Sequence, residues 1–331
     1  MNWVQTSAAP VLQVDGLQVE YATAAGQTVR AVDGVSFEIA RGKTLAMVGE
    51  SGCGKSSVAR AIMRLEAPAA GAIRLEGEDI ATVSERALKP RRRHFQMIFQ
   101  DPMASLNPRR RVREILAAPL RVNGLYDAGA PERIAAALKQ VGLDPANALD
   151  RYPREFSGGQ CQRISIARAL LLNPSLLVCD EPVSALDVSV RAQVLNVLND
   201  LQTSLGLTML FISHDLAVVR NVADRMAVMY LGKFCETGPA DTLFSAAAHP
   251  YTTALLSAVP QARPNQPAQR IYLQAEMPSP MQLPSGCRFR TRCPVAQPLC
   301  AEASPELMTI APEHAVACHF PYAIQAASSQ P

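Results

Sequence analysis

At 331 residues the chain exceeds one domain of ordinary size, so a main domain with an extension is expected. Its 48% apolar and 18% charged residues are those of a packed globule and exclude the weakly hydrophobic, highly charged disordered class. A net charge of +3, from 32 basic and 29 acidic residues, is too small to argue for a polyanion-binding chain.

The opening stretch MNWVQTSAAPVLQV lacks both the basic n-region and the long apolar h-region of a secretory signal. The charge-free stretch 242–262 is interrupted by His249, Pro250 and Pro260, so no membrane span is expected. The cytosol is then the expected compartment, where the cysteines should stay reduced or bind metal.

Taken in chain order, VLQVDGLQVEY and AVDGVSFEI are short apolar runs broken by turns. TLAMVG then runs directly into a Gly-rich loop and a helix opening SSVARAIMRL. Gly49, Glu50, Ser51, Gly52, Cys53, Gly54, Lys55 and Ser56 match GxxxxGK[ST], with Ser57 next. Such glycines let backbone N–H groups turn inward around phosphate, and the helix N-terminus adds partial positive charge. Lys55 should reach the outer phosphates, and Ser56 should offer its hydroxyl to Mg²⁺. Cys53 sits at that helix N-terminus, a position that lowers a thiol pKa; its alkylation is expected to block nucleotide binding by intrusion.

From Glu85 to Glu114 there are nine basic residues and three acidic ones. Arg91, Arg92, Arg93, Arg109, Arg110 and Arg111 carry most of this surplus; membrane subunits, anionic lipid, nucleic acid or plain solvated surface charge would each account for it. Between about Asp101 and Asn173 the strand signal disappears and helical patterns such as PERIAAALKQVG take over, which reads as a helical insertion.

LLVCD (Leu176 to Asp180) and MLFIS (Met209 to Ser213) are apolar runs of the kind that form strands covered on both faces. Between them, Ser189 to Leu205 places Val190, Val194, Val197, Leu198 and Leu201 on one helical face. Strand–helix alternation implies an α/β fold with a mainly parallel sheet and ligands at the strands' carboxyl ends. Asp180 is delivered to such an end, where its carboxylate can hold Mg²⁺ through water; Glu181 follows at once and is placed to orient or deprotonate an attacking water.

Near Gly238 the composition changes, because 13 of the 25 prolines and four of the eight cysteines fall in the last 91 residues. This tail is not expected to share the core's regular fold. Cys287, Cys293, Cys300 and Cys318 can tie such a segment to a metal centre that stands in for a core. Their intervals of five, six and 17 residues contain no CxxC, which disfavours a standard zinc ribbon. Iron–sulfur spacings are looser. Cys161, Cys179 and Cys235 are scattered and read as small structural residues.

FSGGQCQRISIARAL, preceded by the phosphate loop and followed by DEP, resembles the signature of the ATP-binding subunits of ABC transporters, and the resemblance covers nearly the whole chain. It implies a P-loop ABC ATPase core, mainly parallel but with an antiparallel β subdomain, over 11–245, a helical subdomain at about 101–173, and an irregular Cys-rich extension over 246–331. It further implies that Ser157, Gly158, Gly159 and Gln160 form a second anion site that completes a nucleotide pocket in trans. By the same resemblance Tyr21 stacks on adenine, and Gln100 contacts Mg²⁺ and water together with Ser56 and Asp180. Ser184, Ala185, Leu186 and Asp187 form the loop that communicates across the dimer. His214 meets the γ-phosphate and Glu181 is the catalytic carboxylate.

Within that family QDPMASLNPR, TGPADTLFSAAAHPYTTALLSAVP and GCRFRTRCP resemble the oligopeptide and dipeptide importer ATPases, and SGGQCQRI resembles the F-type of their two ATPase subunits. The resemblance implies ATP and Mg²⁺, and a sister ATPase with which the chain forms a heterodimer. It also implies two transmembrane permease subunits, an extracytoplasmic substrate-binding protein, and a peripheral place at the inner face of a bacterial membrane. Similar tails imply a [4Fe-4S] cluster on the four late cysteines, with Zn²⁺ as the alternative. Nickel and glutathione importers share parts of the pattern. A soluble ABC ATPase acting on DNA or ribosomes would usually bring a second cassette, a long coiled coil or zinc insertions in the core, none of which is present, so no nucleic-acid partner is expected. A P-loop kinase would leave FSGGQ without a use.

Overall fold

The computed structural model describes residues 9–23, 26–259, 271–273 and 276–322; most of the opening stretch and the end of the stretch 242–262 lie outside them. The strands in chain order are β1 (Leu12–Ala22), β2 (Thr28–Ile39), β3 (Thr44–Val48), β4 (Ala70–Leu75), β5 (Glu78–Asp79) and β6 (Phe95–Ile98). They continue with β7 (Leu176–Asp180), β8 (Thr208–Ser213), β9 (Arg225–Tyr230), β10 (Lys233–Pro239), β11 (Met308–Ala311) and β12 (His314–Val316).

Among the described residues these strands form two sheets, one antiparallel in the order β2-β1-β4-β5 and one mixed in the order β11-β12-β10-β9-β3-β8-β7-β6. In the first, Leu12, Val14, Leu17 and Val19 are buried with more exposed residues between them, the alternation of a sheet with one covered face. In the second, every residue of β3 and β8 is buried, as the uninterrupted apolar runs require. An apolar layer containing Val19, Phe37, Met47, Val58, Ile62 and Leu210 joins the two sheets through the helix Lys55–Ile62.

The pairs β6–β7, β7–β8, β8–β3 and β3–β9 are parallel. Five strands therefore end at one edge, and the loops that follow β3, β6, β7 and β8 begin there side by side. The insertion between β6 and β7 is helical as expected, with main helices Val112–Val122, Ala130–Gln140 and Gly158–Leu170. The helix Val188–Leu205 buries Val194, Leu195, Leu198 and Leu201, while Val190 and Val197 pack partly buried against the same cluster.

The tail departs from expectation. It is irregular over much of its length, yet β12 pairs antiparallel with β10 (Glu236 opposite Val316, Thr237 opposite Ala315) and so extends the main sheet. It also has a core: Phe289 packs edge-on against Tyr230 at 5.3 Å and beside Tyr251 at 5.2 Å, in a cluster with Ala46, Val48, Met226 and Val228. Burying a phenylalanine side chain contributes about 1.5–3 kcal/mol. Below it Glu236, fully buried, accepts the N–H groups of Ala248 (2.7 Å) and His249 (3.1 Å) and meets His314 Nε2 at 2.7 Å.

Candidate ATP site

Close backbone packing explains two of the loop's glycines. A Cβ at Gly49 (φ 152°) would stand 2.2 Å from the Met229 carbonyl oxygen, and one at Gly54 (φ 112°) 2.3 Å from that of Ala31. Each contact is far below van der Waals distance, so the loop lies flat against β9 and β2 only without side chains there. Lys55 opens the helix Lys55–Ile62 and is buried; its Nζ donates to the carbonyls of Gly49 and Glu50, both at 2.8 Å.

Ser56 Oγ donates to Asp180 Oδ1 at 3.0 Å, bringing together two of the three oxygen donors expected at Mg²⁺ across a separation of 124 residues. An all-oxygen set of one hydroxyl and one carboxylate suits this hard cation. Burial raises the Asp180 pKa, the Ser56 hydrogen bond opposes this, and the neighbouring Glu181 charge adds to it.

Glu181 occupies the left-handed region at φ 48°, a costly conformation for a residue with a Cβ, held by its N–H donating to Ile212 O at 3.0 Å. The turn aims its carboxylate along the edge. Oε1 lies 3.0 Å from His214 Nδ1, and Oε2 accepts from Gln100 Nε2 at 3.3 Å. Residues from the ends of β6, β7 and β8 thus meet on one carboxylate.

Tyr21, at the end of β1, packs partly buried on the apolar layer and donates its hydroxyl to Ser57 Oγ at 3.3 Å. Ser157 caps the helix Gly158–Leu170 in a reciprocal box: its Oγ accepts the Gln160 N–H at 3.3 Å, and Gln160 Oε1 accepts the Ser157 N–H at 3.0 Å. Among the described residues no hydrogen bond or ion pair joins Ser157–Gln160 to the phosphate loop. Ser184 Oγ donates to Glu181 O at 3.0 Å, Leu186 is buried, and Asp187 precedes the helix Val188–Leu205, with Ala185 between them in the same turn.

Three residues that the motifs did not point to complete the surroundings. Arg191 donates to Asp215 Oδ2 at 2.7 Å and to Leu186 O at 3.4 Å, tying the 184–187 turn to the residue after His214. Tyr251 and Arg292 both reach Glu50 from the C-terminal region. Their sequence signal is weak: Tyr251 and Arg292 lie within TGPADTLFSAAAHPYTTALLSAVP and GCRFRTRCP, but nothing in those stretches assigns either residue to the phosphate loop.

Two expectations need correction. Burial pushes the Cys53 thiol up, although Lys55 partly opposes it, so the helix N-terminus does not make this a low-pKa cysteine. The late cysteines do converge: Cys287, Cys293, Cys300 and Cys318 line one cavity with Phe289 and Phe320. That cavity measures only about 10 Å³, the room of roughly one water, and burial pushes Cys293 and Cys318 up to about 11. Among the described residues no group of three or more His, Cys, Asp or Glu side chains is arranged to hold a metal ion. The [4Fe-4S] and zinc expectations are therefore not supported by the arrangement, in which Phe289 and its aromatic neighbours supply the core that a metal was expected to replace. Cys161, Cys179 and Cys235 are buried, as structural residues should be.

The arginine-rich stretch is partly neutralised. Arg91 pairs with Glu78, Arg92 with Glu85, and Arg111 with Asp150.

A phosphate loop, a paired acidic strand end, a glutamine and a histidine on one edge of a parallel sheet carrying a helical insertion define a P-loop ATPase of the ABC type. Comparison with known proteins agrees. The model of the ABC transporter family matches residues 32–184, and that of the oligopeptide/dipeptide transporter C-terminal region matches 235–300. The chain is 53% identical over 296 residues to the oligopeptide transport ATP-binding protein AppF of Bacillus subtilis, covering 88% of this chain and 90% of that one. It is 50% identical over 292 residues to the di/tripeptide transport ATP-binding protein DppF of Pseudomonas aeruginosa, with the same coverage of 88% and 90%. Among solved structures, the dimeric ATP-binding cassette MJ0796 in a post-hydrolysis state with ADP and Pi superposes with a TM-score of 0.63 at 25% identity, covering 69% of this chain and 98% of that one. The chain belongs to the ABC transporter ATP-binding proteins, in their oligopeptide/dipeptide group.

Proposed function

We propose that this chain binds and hydrolyses Mg-ATP to power uptake of dipeptides or oligopeptides, working at the cytoplasmic face of a bacterial inner membrane. In this reading it closes head to tail on a sister ATPase, so that Ser157, Gly158, Gly159 and Gln160 of one subunit meet the phosphates held by Lys55 of the other. Two permease subunits form the pore and an extracytoplasmic binding protein delivers cargo. The observation that carries the catalytic part is the convergence of Gln100, Glu181 and His214 on one carboxylate beside the Ser56–Asp180 pair.

The chemistry follows from these positions. Backbone N–H groups of residues 52–57 cradle the phosphates, and Lys55 exchanges carbonyl partners for phosphate oxygens. Ser56, Asp180 and Gln100 would hold Mg²⁺, which supplies neutralisation of the phosphate charge. Glu181 accepts a hydrogen bond from the attacking water and orients it in line with the terminal phosphate, while His214 and Gln100 fix the carboxylate. Tyr21 contributes its ring face beside the adenine.

Reconstitution with its permease and binding protein in sealed vesicles tests the whole reading, with ATP-dependent peptide accumulation as the expected result. Accumulation of nickel or glutathione instead would move the cargo and leave the ATPase in place. A metal centre on Cys287, Cys293, Cys300 and Cys318 stays in the proposal on sequence grounds alone, against the arrangement of the thiols. Anaerobic protein containing iron and acid-labile sulfide is the outcome that supports [4Fe-4S], one bound zinc supports the alternative, and metal-free thiols remove both.

A further inference from the structure

Glu50 lies inside the phosphate loop and is held at three points. Its N–H donates to the Tyr251 hydroxyl at 2.9 Å. Its carboxylate accepts from one nitrogen of the Arg292 guanidinium at 2.9 and 3.0 Å. Its carbonyl accepts from Lys55 Nζ at 2.8 Å. Two of these holds come from residues about 200 and 240 positions later in the chain, and the third is the ammonium group that must reach ATP.

The holding groups are rigid. The Arg292 side chain is only 8% exposed and its guanidinium stands 5.9 Å from the centre of the Tyr230 ring. Tyr251 is fully buried, packed 4.8 Å from Tyr230 and 5.2 Å from Phe289. A buried guanidinium needs a carboxylate facing it, and Glu50 provides it, so neither partner is free to drift. One guanidinium nitrogen shared between both carboxylate oxygens makes a charge-assisted contact that holds the Glu50 side chain in place.

We infer that Arg292 and Tyr251 are positioning residues of the ATP site: Tyr251 holds the N–H of the Gly49–Glu50 peptide unit and Arg292 holds the Glu50 side chain, and together they fix the Gly49 and Glu50 carbonyls that set where Lys55 rests. The C-terminal segment then acts on nucleotide affinity through the two peptide units that flank the Glu50 Cα, without touching the nucleotide. Met277 lies over the same loop, 3.6 Å from where a Cβ at Gly52 would stand, so the segment also covers it. The inference rests on the ATPase reading of the loop and deepens it.

The test measures Mg-ATP dissociation constants of the full chain by calorimetry, with thermal unfolding followed in parallel. Wild-type protein must bind Mg-ATP; failure at that step counts against the ATPase reading itself. Arg292→Met is expected to weaken binding about tenfold, the scale of one charge-assisted hydrogen bond. Glu50→Ala should do the same, and Arg292→Met combined with Glu50→Ala no worse than either alone. Arg292→Lys should recover part of the loss. Tyr251→Phe, which removes only the acceptor for the Glu50 N–H, should weaken binding about threefold, on the scale of one neutral hydrogen bond, with little change in unfolding temperature. Wild-type affinity in Arg292→Met, or additive losses in the double variant, would overturn the inference. Should Arg292→Met fail to fold, Tyr251→Phe decides alone, and unchanged affinity in it has the same consequence.

Discussion

Two glutamate–histidine pairs occupy opposite ends of the main sheet's chemistry. Glu181 and His214 stand 3.0 Å apart at the carboxyl edge, with side chains 14% and 50% exposed. Glu236 and His314 stand 2.7 Å apart beneath the C-terminal segment, with side chains 0% and 1% exposed. The second carboxylate is saturated by two backbone N–H groups and the imidazole, as a buried charge must be. The first meets only the side-chain ends of Gln100 and His214, both open to solvent, which can yield to water and phosphate. In the proposed reading, the same two residue types make a catalytic device where solvent reaches them and a structural bolt where it does not.

Glu181→Gln is the largest expected break in this contrast. It should lower ATP turnover in the assembled transporter by roughly 10² to 10⁴-fold while preserving Mg-ATP binding and holding the subunits together. Near-normal phosphate release by that variant would take Glu181 out of the mechanism.

Glu236→Ala should act oppositely. Leaving His314 and two N–H groups buried without their carboxylate is expected to cost about 3–5 kcal/mol of stability, read from urea midpoints. Turnover per folded molecule should be nearly unchanged, and a stability loss below about 1 kcal/mol would contradict the bolt.

His249 sharpens the comparison through pH. Burial lowers its pKa to about 4 from an ordinary 6.5, and its Nδ1 accepts the Tyr251 N–H at 3.0 Å, so it folds neutral. Between those values the unfolded chain binds a proton that the folded chain does not, so stability must fall as pH drops from about 6.5 towards 4, by up to about 3 kcal/mol. His249→Asn keeps a helix-capping acceptor and should flatten that part of the profile. An unchanged slope in the variant would assign the titration elsewhere.

The smallest effect concerns Cys53. With its thiol buried and its pKa raised, alkylation near neutral pH should be slower than that of an exposed cysteine, and Mg-ATP should slow it further. Rapid modification in mass-spectrometric time courses would show that the loop opens.

The edge proposed for nucleotide was legible in the sequence because each motif carries its own local geometry. Gly49 and Gly54 permit a loop that any side chain would block, the Ser157 box builds its own helix start, and five- or six-residue apolar runs end at Asp180 and at Ser213. Parallel pairing then brings those ends together, so spacing along the chain sufficed. The C-terminal region was misread for the converse reason. Pro-rich composition and four cysteines suggested a tail without a core, since no periodicity announces that Phe289 will slot between Tyr230 and Tyr251 or that β12 will pair with β10.

The amino-acid order by itself determined the class of the protein and the residues proposed for its ATP site, because turns, caps and buried strands are encoded within a few neighbours. Only the tertiary structure decided that Glu181 meets His214 and Gln100, that Glu236 is sealed by His314, and that Glu50 is gripped by Tyr251 and Arg292. Those contacts join residues 33 to 242 positions apart, and burial and hydrogen-bond satisfaction across such separations exist only once the chain has closed on itself.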